Sequence, residues 1–179
     1  IRDPEMSRGL GDVYKRQYGD NVMDELAKTL IQYNISISSV ESFTVGNFAA
    51  MLGSIPGISK VYKGSLVTYQ STTKERLLGI SHEIISKYGV VSKEVASLMC
   101  VNGKQILDSD VCVSFTGNAG PDAMEGKPVG LVYIGILYQG VNIYELNLKG
   151  TREEIQKQAI DFVIRKLNEK IKVNFIKFL

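Results

Sequence analysis

The sequence contains no tryptophan, and it has little histidine, cysteine or net charge. Its 179 residues include one His and two Cys, and 21 basic against 19 acidic side chains leave a formal charge of +2. The lone His82 stands near the start of a predicted surface helix, which disfavours a Ser-His-Asp triad and a histidine-based metal site. Near-neutral charge is unlike a non-specific nucleic-acid binder, whose affinity depends on neutralising many phosphates. We therefore expect neither a metal nor a nucleic-acid partner.

Long apolar runs are also missing. The longest, residues 129–137, includes two glycines and is far shorter than the roughly 20 residues of a membrane span. The first residues show no secretory pattern. Cys100 and Cys112 stand in apolar surroundings without CxxC spacing, which is typical of reduced thiols in a core. These features predict a cytoplasmic protein that does not enter a membrane.

Because 44% of its residues are hydrophobic, the sequence can form a hydrophobic core. Intrinsic disorder is excluded as the main state, because disorder requires low hydrophobicity and a high net charge. Residues 1–17 have no apolar periodicity, and we interpret them as a non-native or flexible tail. Residues 18–179 are predicted to form a single domain.

Strands and helices alternate along that domain. Strands are predicted at residues 35–40, 63–69, 111–115, 129–138 and 141–148, and helices begin near Asp20 or Asn21, Val45, Ser71–Thr73, Ser81, Ser92 and Thr151. Residues 151–154 (TREE) match a capping box, and the two-residue link Gln139-Gly140 predicts an antiparallel hairpin. The pattern predicts a layered α/β/α domain with a central mixed sheet of about five strands and helices on both faces.

Two loops that follow strands carry the candidate chemistry, because ligands of open α/β sheets bind beyond the carboxyl ends of strands. Residues 40–46 (VESFTVG) lead from a strand directly into a helix. Ser42 could present its hydroxyl there, beside helix N–H groups able to hold an oxyanion or a phosphate. The alternative is that Ser42 or Thr44 only caps the helix.

The second loop, residues 116–121 (TGNAGP), allows a backbone nest for an anion, or alternatively a long turn with positive φ at its glycines. Lys74 and Arg152 fall in the first turn of predicted helices, where a cation opposes the helix dipole. This unfavourable position suggests that Lys74 and Arg152 have a function. The alternative is that each is simply an exposed charge. Neither a Walker A lysine motif nor GxGxxG is present.

These motifs, taken in order, resemble the CinA C-terminal domain, a family of nicotinamide-nucleotide amidohydrolases (NMN deamidases). Residues 41–46 (ESFTVG) are similar to the family signature ESCTGG. Further similar segments follow in register: 56–59 (PGIS), 63–69 (KGSLVTY), Lys74 with 77–79 (LLG), 89–92 (GVVS), 116–121, 127–130 (KPVG) and 150–152 (GTR). The resemblance extends from Asp24 to Lys170.

The resemblance implies hydrolysis of the carboxamide of nicotinamide mononucleotide (NMN) to nicotinate mononucleotide and ammonia, without a cofactor. It implies Ser42 as nucleophile, Lys74 as base, and Tyr69 and Thr116 as further catalytic residues. The candidate substrate contacts are Thr44, Gly46, Gly117, Asn118, Gly120 and Arg152, the last on the phosphate. A lysine kept neutral by burial and nearby positive charge can act as base without histidine.

The same resemblance implies a small-molecule nucleotide as partner and a homo-oligomer, with a dimer favoured. Tyr18-Gly19 is similar to the linker that precedes this domain in two-domain family members, which leaves open an N-terminal molybdopterin-binding-like domain in the native protein.

Two positions depart from the family signature. Phe43 replaces a Cys and would narrow the pocket, and Val45 replaces a Gly and would not tolerate a positive φ. Asn118, where the family has an apolar residue or Gln, is a smaller departure. The alternative function is therefore a catalytically impaired domain that binds a nucleotide or a partner protein.

Overall fold

The computed structural model describes residues 22–176, with side chains as far as residue 173. The predicted tail, the cap at Asp20 or Asn21 and the linker-like Tyr18-Gly19 lie outside the described residues. The elements follow in this order: α1 (Val22–Gln32), β1 (Ile37–Glu41), α2 (Asn47–Gly53), a 3₁₀ turn (Ile58–Lys60), β2 (Tyr62–Val67), α3 (Ser71–Leu78), α4 (His82–Tyr88), α5 (Lys93–Leu107), β3 (Val111–Gly117), β4 (Leu131–Leu137), β5 (Val141–Asn147) and α6 (Arg152–Ile176).

The five strands form one mixed sheet in the order β2-β1-β3-β4-β5. Strand β1 pairs in parallel with β2 and β3, whereas β3–β4 and β4–β5 are antiparallel. At the end of β1, Glu41 lies opposite Val67 of β2 and Phe115 of β3. The three parallel strands therefore end together, and the loops that follow them meet at one edge of the sheet.

Helices cover both faces of the sheet, as predicted. On one face α1, α2 and α6 pack against alternate strand residues such as Ile37, Val113 and Phe115. On the other face α3, α4 and α5 pack around Val40 and Cys112. Because both faces are buried, β1 and β3 are enclosed along their whole length.

Most predicted boundaries are confirmed within a few residues, and the differences have local causes. The helix predicted from Val45 begins at Asn47, because Val45 and Gly46 have left-handed backbone. Helix α3 has Gln70 as N-cap with no side-chain cap, so the predicted capping by Ser71–Thr73 is wrong.

Three predicted local signals are confirmed by hydrogen bonds. Ser81 and Ser92 cap α4 and α5 by accepting from the N–H groups of Ile84 and Val95. In the capping box, the Thr151 N–H donates to Glu154 (2.7 Å) and the Glu154 N–H donates to the Thr151 hydroxyl (3.3 Å). Both cysteines are buried and unbridged.

Across the described residues, we find no helix with the length and apolarity needed to cross a membrane.

Candidate active site

The loops beyond β1, β2 and β3 enclose a cavity of about 730 Å³ at the carboxyl edge of the parallel strands. Ser42 and Phe43 line it from the first loop, Tyr69 and Gln70 from the second, and residues 116–125 from the third. Arg152, the first residue of α6, completes the wall. The topology thus brings together residues that lie up to 110 positions apart in the sequence (152 − 42).

A lysine–serine pair lies at this edge. The Lys74 ammonium nitrogen is 3.0 Å from the Ser42 hydroxyl oxygen. It also donates to the backbone carbonyls of Thr68 (2.6 Å) and Tyr69 (3.2 Å). Both carbonyls belong to the loop between β2 and α3, so the chain that leads into α3 also fixes the direction of the lysine side chain.

Lys74 is fully buried, so the alternative of an exposed charge is wrong. Burial removes the ammonium from water and lowers the pKa of Lys74 to about 8, whereas the charge of Glu125 acts in the opposite direction. The expected nearby positive charge is therefore not the cause; desolvation is. A lysine with this pKa is neutral in an appreciable fraction of molecules near pH 7 to 8.

Tyr69 and Thr116, predicted as catalytic, both line the cavity. The Tyr69 side chain is 53% exposed and lines the cavity, and it is its backbone carbonyl that meets Lys74. The Thr116 hydroxyl is buried and donates to the Val90 carbonyl (2.6 Å). Both residues thus shape the cavity, and their catalytic roles stay predictions.

The loop after β3 is not a free anion nest. The Asn118 N–H donates to the Leu131 carbonyl (2.9 Å), and the Gly120 N–H donates to the Asn118 side-chain oxygen (3.1 Å). Both N–H groups therefore already have acceptors in the protein. Gly117, Asn118, Gly120 and Arg152 all line the cavity, and of these only Arg152 is a cation.

Thr44 and Gly46 are not among the residues that line the cavity. The Gly46 N–H donates to the Glu41 carboxylate (3.0 Å), and so does the Ala49 N–H (2.9 Å). The N-terminus of α2 is thus filled by the chain's own carboxylate. Neither Ser42 nor Thr44 caps the helix, so the capping alternative and the expectation of a free helix N-terminus are both wrong.

Phe43 and Val45, the two residues that depart from the family signature, occupy different environments in the structure. The Phe43 ring is only 3% exposed and belongs to the core on the face of the sheet covered by α1, α2 and α6, so it does not fill the cavity. Its carbonyl accepts from the Gln156 amide at 2.6 Å. Val45 has φ +46° and a half-exposed side chain. The loop therefore keeps a left-handed residue here although a branched side chain is unfavourable in that conformation.

Replacing Val45 by glycine should stabilise the protein. Relief of left-handed strain is worth about 1–2 kcal/mol, and the added freedom of the unfolded chain takes back about 0.4–1 kcal/mol. We expect the free energy of unfolding, measured in urea, to rise by about 0.5–1 kcal/mol.

Val67→Gly is the matched control, because Val67 is similarly exposed but lies in strand β2. That change should lower stability by about 0.5–1 kcal/mol. Equal losses in the two variants would contradict the assignment of strain to Val45.

Sequence reasoning missed the polar residues that hold the loops. Glu125 accepts from the N–H groups of Val90 and Val91, and Lys127 donates to the carbonyls of Tyr88 and Val91. The hydrogen bonds of these two side chains hold the cavity wall against the segment that joins α4 and α5. In the sequence, the signal for this role is an acid and a base, Glu125 and Lys127, placed two positions apart in a loop that contains a glycine.

No three His, Cys, Asp or Glu side chains lie close enough to hold a metal ion in the part of the chain that the structure describes. The polar groups around Ser42 are instead hydroxyl, ammonium and backbone groups. Such a set is suited to nucleophilic chemistry assisted by a lysine.

Comparison with known proteins identifies relatives of this chain. The model of the CinA C-terminal domain matches residues 19–171. A Levilactobacillus brevis protein named for competence-damage inducibility is 41% identical over 155 residues, which cover 84% of this chain and 37% of that protein. A Listeria innocua protein of the same name is 44% identical over 153 residues, with coverage of 82% and 37%. The chain thus spans little more than a third of these relatives.

Solved structures show the same fold. A CinA superfamily protein from Escherichia coli superposes with a TM-score of 0.80 at 27% identity, over 83% of this chain and 87% of that one. A competence/damage inducible protein from Agrobacterium tumefaciens superposes with a TM-score of 0.76 at 29% identity, over 82% and 94%.

Proposed function

This chain belongs to the CinA C-terminal domain family, and we propose that it hydrolyses the carboxamide of nicotinamide mononucleotide to nicotinate mononucleotide and ammonia. The observation that carries the proposal is the buried contact of 3.0 Å between Lys74 and Ser42, at the edge of a cavity that also holds Arg152. Amide hydrolysis needs a nucleophile, a base that can later return its proton, and a place for the substrate.

In the first step, neutral Lys74 takes the hydroxyl proton of Ser42 while the Ser42 oxygen attacks the carboxamide carbon. The backbone N–H group of Phe43, a residue of the cavity wall, has no acceptor within the described part of the chain. This group adjoins the nucleophile, and we assign it to the oxyanion that develops on the carboxamide oxygen.

In the second step, the Lys74 ammonium returns the proton to the amide nitrogen, the carbon–nitrogen bond breaks and ammonia leaves. The nicotinoyl group is then held as an ester on Ser42. Water attacks this ester with Lys74 again as base, and the proton passes back to the Ser42 oxygen as nicotinate mononucleotide departs. Desolvation serves both steps, because a pKa near 8 lets one lysine accept and donate.

The substrate's phosphate is assigned to Arg152. Its side chain is exposed at the cavity wall, and a guanidinium binds phosphate with two parallel hydrogen bonds. The alternative of an impaired domain depended on Phe43 and Val45. The buried Phe43 ring and the left-handed backbone at Val45 do not support it.

The direct test is to measure ammonia release from nicotinamide mononucleotide with a coupled assay, in the presence and in the absence of a chelator. We expect turnover well above the background rate, unchanged after exhaustive chelation. Binding of the nucleotide without ammonia release would favour the impaired-domain alternative, and strict loss and recovery of turnover with a metal would exclude the serine–lysine route.

Arg152→Ala should raise KM for the mononucleotide about 10- to 100-fold, with kcat changed less than about threefold, because a phosphate contact is made equally in ground and transition states. Arg152→Lys should recover part of the binding. Nicotinamide riboside, which lacks the phosphate, is the control substrate and should be nearly indifferent to Arg152→Ala. Equal losses for the riboside and the mononucleotide would show that Arg152 does not contact the phosphate.

A further inference from the structure

We propose that Glu41 is the positioning residue of the nucleophile: its buried carboxylate fills the N-terminus of α2 and thereby fixes the turn that carries Ser42. The inference rests on the proposed function, because it gives Glu41 a part in the reaction of Ser42. Glu41 ends β1 and directly precedes Ser42, and it is wholly shielded from solvent.

The carboxylate of Glu41 is saturated by groups of its own chain. One oxygen accepts from the N–H groups of Gly46 (3.0 Å) and Phe48 (3.3 Å). The other accepts from the Ala49 N–H (2.9 Å) and the Ser39 hydroxyl (3.3 Å). A buried carboxylate is strongly destabilising unless such donors meet it, so its place at the start of α2 is tightly specified.

The turn that bears the nucleophile lies between the two ends of this interaction. The Ser42 N–H donates to the Phe115 carbonyl (3.0 Å), and the Val45 N–H donates to the Ser42 carbonyl (3.1 Å). Val45 and Gly46 then have left-handed backbone. Strained backbone of this kind persists only where surrounding contacts impose it, and the bonds from Glu41 to the start of α2 are contacts of that sort.

Glu41 is also connected to the base. Its backbone carbonyl accepts from the Thr68 N–H (2.8 Å), and the Thr68 carbonyl accepts from Lys74 (2.6 Å). A shift of Glu41 would therefore displace both members of the pair whose separation is 3.0 Å. This dual connection distinguishes Glu41 from an ordinary helix cap.

A chain of hydroxyl groups holds the carboxylate from the opposite side. The Ser39 hydroxyl bridges Glu41 to the Ser65 hydroxyl, which in turn bonds to the hydroxyl of Tyr62 (2.7 Å). Burial chiefly raises the pKa of Tyr62; the bond to Ser65 lowers it, and the negative charge of Glu41 raises it. The carboxylate is therefore enclosed between helix N–H groups and hydroxyls.

Glu41→Gln tests the inference, because glutamine keeps the size but replaces one acceptor oxygen by an amide that faces N–H groups. We expect kcat for the mononucleotide to fall about 30-fold with KM changed less than about threefold, since cavity contacts remain. In the proposed reaction kcat/KM rises with pH up to about 8 as Lys74 loses its proton, and this rise should keep its midpoint in Glu41→Gln because Lys74 remains the base. Glu41→Asp, which is one methylene shorter, should rescue little.

Asp110→Asn is the matched control. The Asp110 carboxylate also accepts a backbone N–H and a hydroxyl, both from Ser36, but Asp110 precedes β3 at the amino edge of the parallel strands. This variant should lose thermal stability without loss of kcat. If Glu41→Gln and Asp110→Asn are alike in kcat at matched folded fraction, Glu41 is merely structural and the inference is overturned.

Two measurements separate this inference from the proposed function. The labelling rate of Ser42 by a fluorophosphonate needs no nucleotide, and it should fall in Glu41→Gln alone. Crystal structures of both variants should show the separation of the Ser42 oxygen and the Lys74 nitrogen lengthened in Glu41→Gln and kept at 3.0 Å in Asp110→Asn. An unchanged separation together with unchanged labelling would overturn the inference whether or not the mononucleotide is hydrolysed.

Discussion

Ser42→Ala is expected to reduce ammonia release from nicotinamide mononucleotide by at least about 1,000-fold, to the background rate, because the reaction loses its nucleophile. The fold should persist. The Ser42 hydroxyl contacts Lys74 at 3.0 Å and the Tyr69 carbonyl at 3.5 Å, so its removal costs at most about 1–2 kcal/mol. The measurement is turnover per folded molecule, with the thermal midpoint recorded in parallel.

Ser54→Ala is the control for that experiment. The Ser54 hydroxyl donates to the Met51 carbonyl at the end of α2, remote from Lys74, and its loss should leave turnover intact. If Ser42→Ala retained turnover, another nucleophile would be required and the proposed mechanism would be wrong.

Lys74→Met is expected to lower kcat at least about 100-fold, the lower range of general acid–base catalysis. Lys74→Arg should rescue little, because a guanidinium does not release its proton at neutral pH. Lys104→Met is the control: Lys104 also donates to a backbone carbonyl, that of Ser109, but at the far end of α5. Its removal should leave kcat unchanged.

The pH dependence follows from the same lysine. With a pKa of about 8, the neutral form is about a tenth of the population at pH 7, so kcat/KM should rise with pH and level off above about 8. Stability should change as well. Between about 8 and the ordinary value of 10.5, the unfolded chain keeps a proton that the folded chain has released, so stability rises with pH across this window. In Lys74→Met, both the increase of kcat/KM with pH and the increase of stability with pH should be absent.

The layered fold could be predicted because its signals are local. A short apolar run marks β3, a two-residue link marks the β4–β5 hairpin, and Thr151 with Glu154 marks the start of α6. Strand order could not be predicted in the same way. The placement of β1 between β2 and β3 depends on packing between segments far apart in sequence.

The site was predictable in its residue types and not in its contacts. Ser42 and Lys74 stand out by position, but only the folded chain shows that Lys74 is buried and aimed at Ser42. Glu41 was overlooked because a carboxylate at a strand end gives no sign of the four donors it will meet. Phe43 was expected to narrow the cavity, whereas its ring is buried in the core.

The central position of β1 and β3 has a consequence for hydrogen–deuterium exchange. Both strands are buried along their length and paired on each side, so their amides should exchange only when the whole domain opens. Strand β5 is an edge with several exposed residues, and its amides should exchange through local fraying. The floor beneath Ser42 therefore belongs to the slowest-exchanging unit of the protein, and fluctuations at β5 can occur without disturbing the reacting groups.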